Sequence, residues 1–177
     1  MTIWLTSDTH FGHANIIAYS NRPYADVEAM NADLTRRWNE VVAPDDTVYH
    51  LGDFAMGLPD LWPGYRASLN GAIVLVRGNH DRHLRRVVDA MNLVDVVENV
   101  VVQIDGVRCW LNHYPPTPDR RGVVKRPPSP APYELALCGH VHDAWRVHDG
   151  VVNVGVDVWG FMPIRVADAS RALTIDR

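Results

Sequence analysis

Short apolar runs broken by turn residues set the pattern of this chain. Ile3–Thr6, Thr47–Leu51, Ala72–Arg77, Val107–Asn112, Glu134–Cys138 and Val151–Val156 are rich in β-branched residues and bounded by Gly, Asn or Asp, which predicts buried strands. A different period separates the early runs. Across Asp26–Val42, apolar residues fall at Val27, Met30, Leu34, Trp38 and Val41, with Pro44 just beyond; that spacing predicts an amphipathic helix. Arg82–Met91 reads as a shorter helix with Leu84, Val87 and Val88 inward. A third near Leu58–Leu69 has Pro59, Pro63 and Gly64 against it. Strand–helix alternation early and strands late predict an α/β or α+β sandwich, not a helical bundle.

The candidate chemistry sits where these strands end. Ile3–Thr6 leads to Asp8-Thr9-His10, and Val48–Leu51 to Gly52-Asp53. Ile73–Val76 leads to Gly78-Asn79-His80-Asp81, Cys109–Leu111 to Asn112-His113, and Leu135–Cys138 to Gly139-His140-Val141-His142. Ligands in open α/β sheets bind beyond the carboxyl ends of the strands, so five such sets can converge on one point. Residues two apart on an extended segment face the same way, which pairs Asp8 with His10 and His140 with His142. The preceding glycines free the backbone for tight turns. Each piece alone has a bland reading, since a lone His is more often a surface or core residue and Gly-Asp is a common turn. Five in order, each at a strand end, do not.

Bulk properties narrow the setting. With 177 residues, 47% hydrophobic and 21% charged, the chain suits one globular domain over 1–177. A formal net charge of −4 argues against a generalised nucleic-acid-coating surface, so a polyanion would need a local positive site. Cys109 and Cys138, the two cysteines, predict reduced buried thiols. The start lacks a signal-peptide pattern and no run reaches transmembrane length, which makes the cytoplasm the expected location, with no membrane partner. The segment 115–132 holds seven prolines with Arg120, Arg121, Lys125 and Arg126; it reads as a surface loop, or as a basic flap beside the site.

With DxH, GD, GNHD, a later His and GHxH in hand, the sequence resembles the calcineurin-like metallophosphoesterases, in the form of a small bacterial or phage-type member. The matching positions run from Asp8 to His142. The resemblance implies a four-layer α-β-β-α sandwich, with two sheets face to face and helices outside. It also implies two divalent cations. Asp8, His10, Asp53 and His142 would hold one, and Asp53, Asn79, His113 and His140 the other, with Asp53 bridging. His80 is then the proton donor beside the cations, and Asn79 and His80 face the substrate. Two-metal sites of this kind activate a bridging water as hydroxide for in-line attack on phosphorus.

Mixed N/O ligands suit Mn²⁺, the leading expectation, with Fe, Zn, Co or Ni as alternatives. His13 and Arg22 follow the first ligand strand and are candidate substrate contacts; Arg22 has the fork to clamp a phosphate. The favoured substrates are small phosphodiesters, nucleotides or cyclic nucleotides, with RNA ends included. The alternative is a phosphomonoesterase or protein phosphatase, against which Gly52-Asp53-Phe54-Ala55-Met56-Gly57 lacks the GDxxDRG extension of that class. A non-catalytic binding module stands further off, because such members usually lose the donor His or some ligands. The sequence leaves monomer and dimer both open.

Overall fold

The structure, a computed structural model, describes residues 1–116 and 129–175. Most of the basic Pro-rich loop predicted at 115–132 therefore lies outside the described residues. The chain runs β1 (Ile3–Thr6), α1 (Ala14–Tyr19), α2 (Val27–Val41), β2 (Thr47–His50), α3 (Trp62–Ala67), β3 (Ala72–Val76), β4 (Asp95–Val97), β5 (Asn99–Ile104), β6 (Val107–Asn112), β7 (Leu135–Cys138), β8 (Val147–His148), β9 (Val151–Asn153) and α4 (Val166–Ile175).

The strands form two sheets. The first has order β1-β2-β3-β4 and is parallel throughout. The second has order β5-β6-β7-β9-β8. Its centre, β6-β7-β9, is parallel, and β5 and β8 pair antiparallel at the edges. Alternation along the strands explains the layers. Leu5, Leu51 and Val76 of the first sheet share one core with Leu111, Leu137 and Val152 of the second. Val48, Ile73 and Leu75 point the other way and meet Met30, Leu34 and Trp38 of α2. The two β-sheets, flanked by helices, make the predicted α/β sandwich.

Local chemistry fixes the flanking elements. Asp26 caps α2 by accepting a 2.8 Å bond from Ala29 N, a contact that typically stabilises a helix by about 1 kcal/mol. Pro63 is tolerated in α3 because it falls in the first turn, where its missing N–H has no helical partner to lose. The stretch Arg82–Met91 departs from the predicted α-helix. It forms two 3₁₀ helices, Asp81–Arg86 and Val88–Met91. Three residues per turn put Asp81, Leu84 and Val87 inward, a stripe that a 3.6 period would smear.

Five elements escape the apolar pattern. β4 and β8 are edge strands of three and two residues, too short to show alternation. β5 is apolar on both faces and α1 buries Ile16 alone. The inward stripe of α4 is Val166, Ala169 and Ala172, small residues with little hydrophobic signal.

A seam joins the two halves of the sandwich. Beyond β1, Ser7 bridges to Gly155 and Leu5 to Ile164, so the end of β1 touches segments that come after the second sheet in the chain.

Candidate metal centre and cleft

All seven predicted ligands project from the carboxyl ends of strands. Asp8 and His10 follow β1, Asp53 follows β2, Asn79 follows β3, His113 follows β6, and His140 and His142 follow β7. They turn inward by an unexpected route. Asp8, His10, Asp53, His140 and His142 have φ of 57°, 52°, 57°, 73° and 48°. These are left-handed residues, not an extended run, so the alternation argument for the Asp8–His10 and His140–His142 pairs is corrected. The conformation costs of order 1–2 kcal/mol at each non-glycine residue, and it clusters here, as strain often does at functional sites.

Main-chain bonds hold that strain. Beyond the paired strands, Leu51 N reaches Thr6 O (2.7 Å), Asp8 N reaches Gly52 O (3.0 Å) and His10 N reaches Asp53 O (3.1 Å). Gly52 has φ of 93°, as a turn glycine should. Gly78 and Gly139 are needed for a different reason. A Cβ on Gly78 would collide with the Asp53 carboxylate, and one on Gly139 with Ser7 Oγ and Asp8 Oδ2.

The side chains converge on Asp53. Its Oδ2 lies 3.6 Å from His10 Nε2, 3.6 Å from His113 Nε2 and 4.0 Å from His80 Nε2. His10 Nε2 is also 3.9 Å from Asp8 Oδ1. Among the described residues two compact donor sets result, Asp8/His10/His142 and Asp8/Asp53/His113, each with its donor atoms within 4.8 Å of one another. Asp8 belongs to both, and Asp53 touches a histidine of each, so both carboxylates lie between the sets. Asn79 Oδ1 sits 3.0 Å from His113 Nε2. His140 gives its main-chain N–H to Asp8 Oδ2 (3.0 Å) and its ring lies 5.1 Å from that of His113; it is in neither compact set.

These donors fit cations. Asp8 Oδ1 and both ring nitrogens of His10 are buried without a hydrogen-bond partner, a costly state unless something electropositive faces them. His113 Nδ1 lies 2.7 Å from Leu51 O and must donate there. Its Nε2 then faces Asn79 Oδ1 and Asp53 Oδ2, a nitrogen and two oxygens that one ion could gather. Burial pushes the His10 pKa well below its usual value, helped by His142 and Arg22, so the ring is neutral and able to ligate. Burial also raises the Asp53 carboxyl, with Asp8 adding and His113 opposing.

Three buried groups steady the ligands, and the strand-end motifs revealed none of them as such. Asp157 Oδ2 lies 3.2 Å from His142 Nδ1, leaving Nε2 for the cluster. Burial disfavours the His142 imidazolium, yet the bond to Asp157 and the Asp8 charge carry its pKa above the ordinary value. Asp157 also pairs with Arg22 at 2.7 and 3.0 Å. Arg22 is buried and donates to the carbonyls of Asp8 (2.7 Å) and Thr9 (3.0 Å). The predicted phosphate clamp is thus corrected: this guanidinium spends its donors on the strained first ligand loop. Asp81 is buried beneath the ligand turns. It accepts from Asp53 N (2.9 Å), Phe54 N (3.1 Å) and Gly78 N (2.7 Å), tying two ligand turns together. Asp157 carried a readable signal, because β9, Gly155 and Asp157 repeat the strand-glycine-acid order of the ligand motifs.

His80 and His13 stand at the rim. His80 is 36% exposed, and its main-chain N–H donates to Asp53 Oδ1 at 2.8 Å. The His13 ring lies 5.3 Å from His10 and 6.3 Å from His80, and lines the same cleft.

A two-sheet sandwich with convergent Asp, His and Asn donors at its strand ends defines a class, the metal-dependent phosphoesterases. The chain belongs to the calcineurin-like phosphoesterase superfamily, whose domain matches residues 1–159. It is 50% identical over 82 residues to an uncharacterized protein of Methanocaldococcus jannaschii, across 45% of this chain and 47% of the relative. The match thus spans about half the length of that relative. The gene 66 protein of Mycobacterium phage L5 is 28% identical over 183 residues, covering 89% of this chain and 87% of the phage protein. Among solved structures, a protein of unknown function from Aquifex aeolicus has the same fold, with a TM-score of 0.72, 24% identity and coverage of 96% and 97% of the two chains. No helix among the described residues is long and apolar enough to cross a membrane.

Proposed function

We propose that the protein hydrolyses phosphodiesters of nucleotide type at a pair of divalent cations, with Mn²⁺ as the leading candidate. The carrying observation is the buried set of unpartnered polar atoms on Asp8 and His10, grouped with Asp53, His113 and His142 beneath a partly exposed His80. Asp8, His10, Asp53 and His142 would hold one cation, and Asp53, Asn79, His113 and His140 would hold the other. When bound, such cations lower the pKa of a water and neutralise charge building on the phosphate oxygens.

The chain's own groups do the rest. Asp157 keeps His142 Nε2 turned inward, and the Leu51 carbonyl does the same for His113 Nε2. His80 stands beside Asp53 without joining either donor set, which suits a group that gives a proton to the departing alkoxide. His13 completes the imidazole wall facing the substrate. The cysteines are buried and unlinked, and burial raises the Cys109 thiol to about 12, so neither is a nucleophile.

The test is hydrolysis of bis-p-nitrophenyl phosphate against the corresponding monoester, with and without added Mn²⁺. Metal-dependent cleavage favouring the diester is expected. Preferential cleavage of the monoester would move the assignment to a phosphatase, and no cleavage of either would remove the catalytic reading.

A further inference from the structure

The cleft above the candidate centre has two arms. One, of about 490 Å³, runs past His13, Tyr19, Val141 and Asp143 from the His10/His142 side. The other, of about 350 Å³, runs past Gly57, Trp62, Arg82 and His83 from the Asn79 side. His80 and Met56 line both. The arms therefore meet at the proposed proton donor, where the ester bond is cut. A monoester or a cyclic nucleotide fills one arm; a chain that continues on both sides of its phosphate fills two.

The second arm opens onto arginines that have no carboxylate partner among the described residues. In the 3₁₀ helix Asp81–Arg86, the inward residues Asp81 and Leu84 leave Arg82 and Arg85 on one exposed row, His83 and Arg86 on the next. Elsewhere on the surface Arg36, Arg37, Arg77 and Arg165 each hold a carboxylate. Arg82 donates to the Asn79 carbonyl. Among the described residues, Arg82, Arg85 and Arg86 have no carboxylate partner. In a chain of net charge −4, this is a local positive track leading away from His80. Such tracks follow phosphate backbones.

The first arm offers a different chemistry. Tyr19 is 71% exposed, and its ring meets His13 edge-on, with centroids 6.2 Å apart and planes at 76°. Its free face is a platform for one planar base. Bases inside a duplex are paired and stacked, so such a platform selects an unpaired strand.

We propose that the substrate is a single strand of nucleic acid threaded through both arms, with a base on Tyr19 and the phosphates beyond the scissile one on Arg82, Arg85 and Arg86. The assignment rests on the diesterase reading and narrows it to a strand with residues on both sides of the cut.

Binding of a labelled 12-nucleotide single strand to the Mn²⁺-loaded protein carrying His80→Ala, so that cleavage is slow, followed by fluorescence anisotropy, tests the track apart from chemistry. The combined Arg85→Ala, Arg86→Ala variant should bind at least about tenfold more weakly at low salt. Its salt slope should flatten by about 1.4, from two lost contacts at roughly 0.7 each. Tyr19→Ala should weaken binding about tenfold with the slope unchanged. Affinity that ignores all these substitutions, or that is equal for a blunt duplex of the same length, overturns the proposal. Wild-type cleavage of bis-p-nitrophenyl phosphate reports on the diesterase reading by itself. If the small diester is cut while strand binding ignores the substitutions, only the track falls. If the strand binds through the track but no diester is cut, the diesterase reading falls, and with it the strand's role as substrate.

Discussion

The floor of the cleft and its rim are built on opposite principles. On the floor, Asp8, His10, Asp53 and His113 are buried, left-handed at three of the four positions, and held by Arg22, Asp157, Asp81 and the Leu51 carbonyl. On the rim, His80, Tyr19, Arg85 and Arg86 are partly or largely exposed, and the two arginines have no carboxylate partner among the described residues. Cations need donor atoms fixed to within tenths of an ångström, so the floor is over-determined. The proposed strand would need a surface that adapts, which the looser rim offers.

Four substitutions break or sharpen this contrast, in falling order of effect. Asp53→Asn strikes the carboxylate between both donor sets. Activity should fall about 10³-fold or more, with both metals lost together in elemental analysis; a variant that keeps its metals would show that Asp53 does not span them.

Asp157→Ala comes next. It strands the buried Arg22 charge and frees His142 to rotate. Breaking a buried pair from one side costs about 3–5 kcal/mol, visible as a drop in thermal midpoint. Loss of the orienting carboxylate should also weaken metal affinity about 10–100-fold. A midpoint within a degree of wild type would show that Arg22 finds other compensation.

His80→Ala tests the rim. Turnover should fall about 10²-fold or more while both metals stay bound and the fold is unchanged. If metal content falls instead, His80 belongs to the floor.

The smallest effect is one of acidity. His50 is buried against Thr9, and burial with the nearby His113 lowers its pKa to about 3, against about 6.5 when unfolded. Between those values the unfolded chain binds the extra proton, so stability is full above pH 6.5 and declines as pH falls. The slope from this residue is at most about 1.4 kcal/mol per pH unit. His50→Gln keeps a donor for Thr9 and should flatten the loss between pH 7 and 5 in urea midpoints; an unchanged slope would assign the acid limb to carboxylates.

The sequence put the candidate ligands at strand ends, where the structure has them, but it hid their supports, for a physical reason. Asp8, His10, Asp53, His113 and His142 sit directly after apolar strands, and strand ends are readable because burial writes itself into neighbouring residues. Arg22 and Asp157 are 135 positions apart, and nothing local announces their pairing. Arg22 in particular looks like a phosphate ligand until its buried partners are seen. Backbone handedness was hidden as well: an Asp-Thr-His string is compatible with either an extended or a left-handed path, and main-chain bonds to the neighbouring loop decide between them. The 3₁₀ geometry at Asp81–Arg86 was equally obscured, because the apolar residues Leu84, Val87 and Val88 also suit an α period.

The seam where Ser7 meets Gly155 has a mechanical consequence. Donor atoms on its two sides come from different sheets, Asp8, His10 and Asp53 from one and His113 and His142 from the other. An ion seated among them would act as a rivet through the sandwich, and its binding energy would then also be energy of folding. Stripped of metal, the halves should breathe at this joint first, and amide protons of Ser7 and Gly155 should exchange long before those in the middle of β2 or β7.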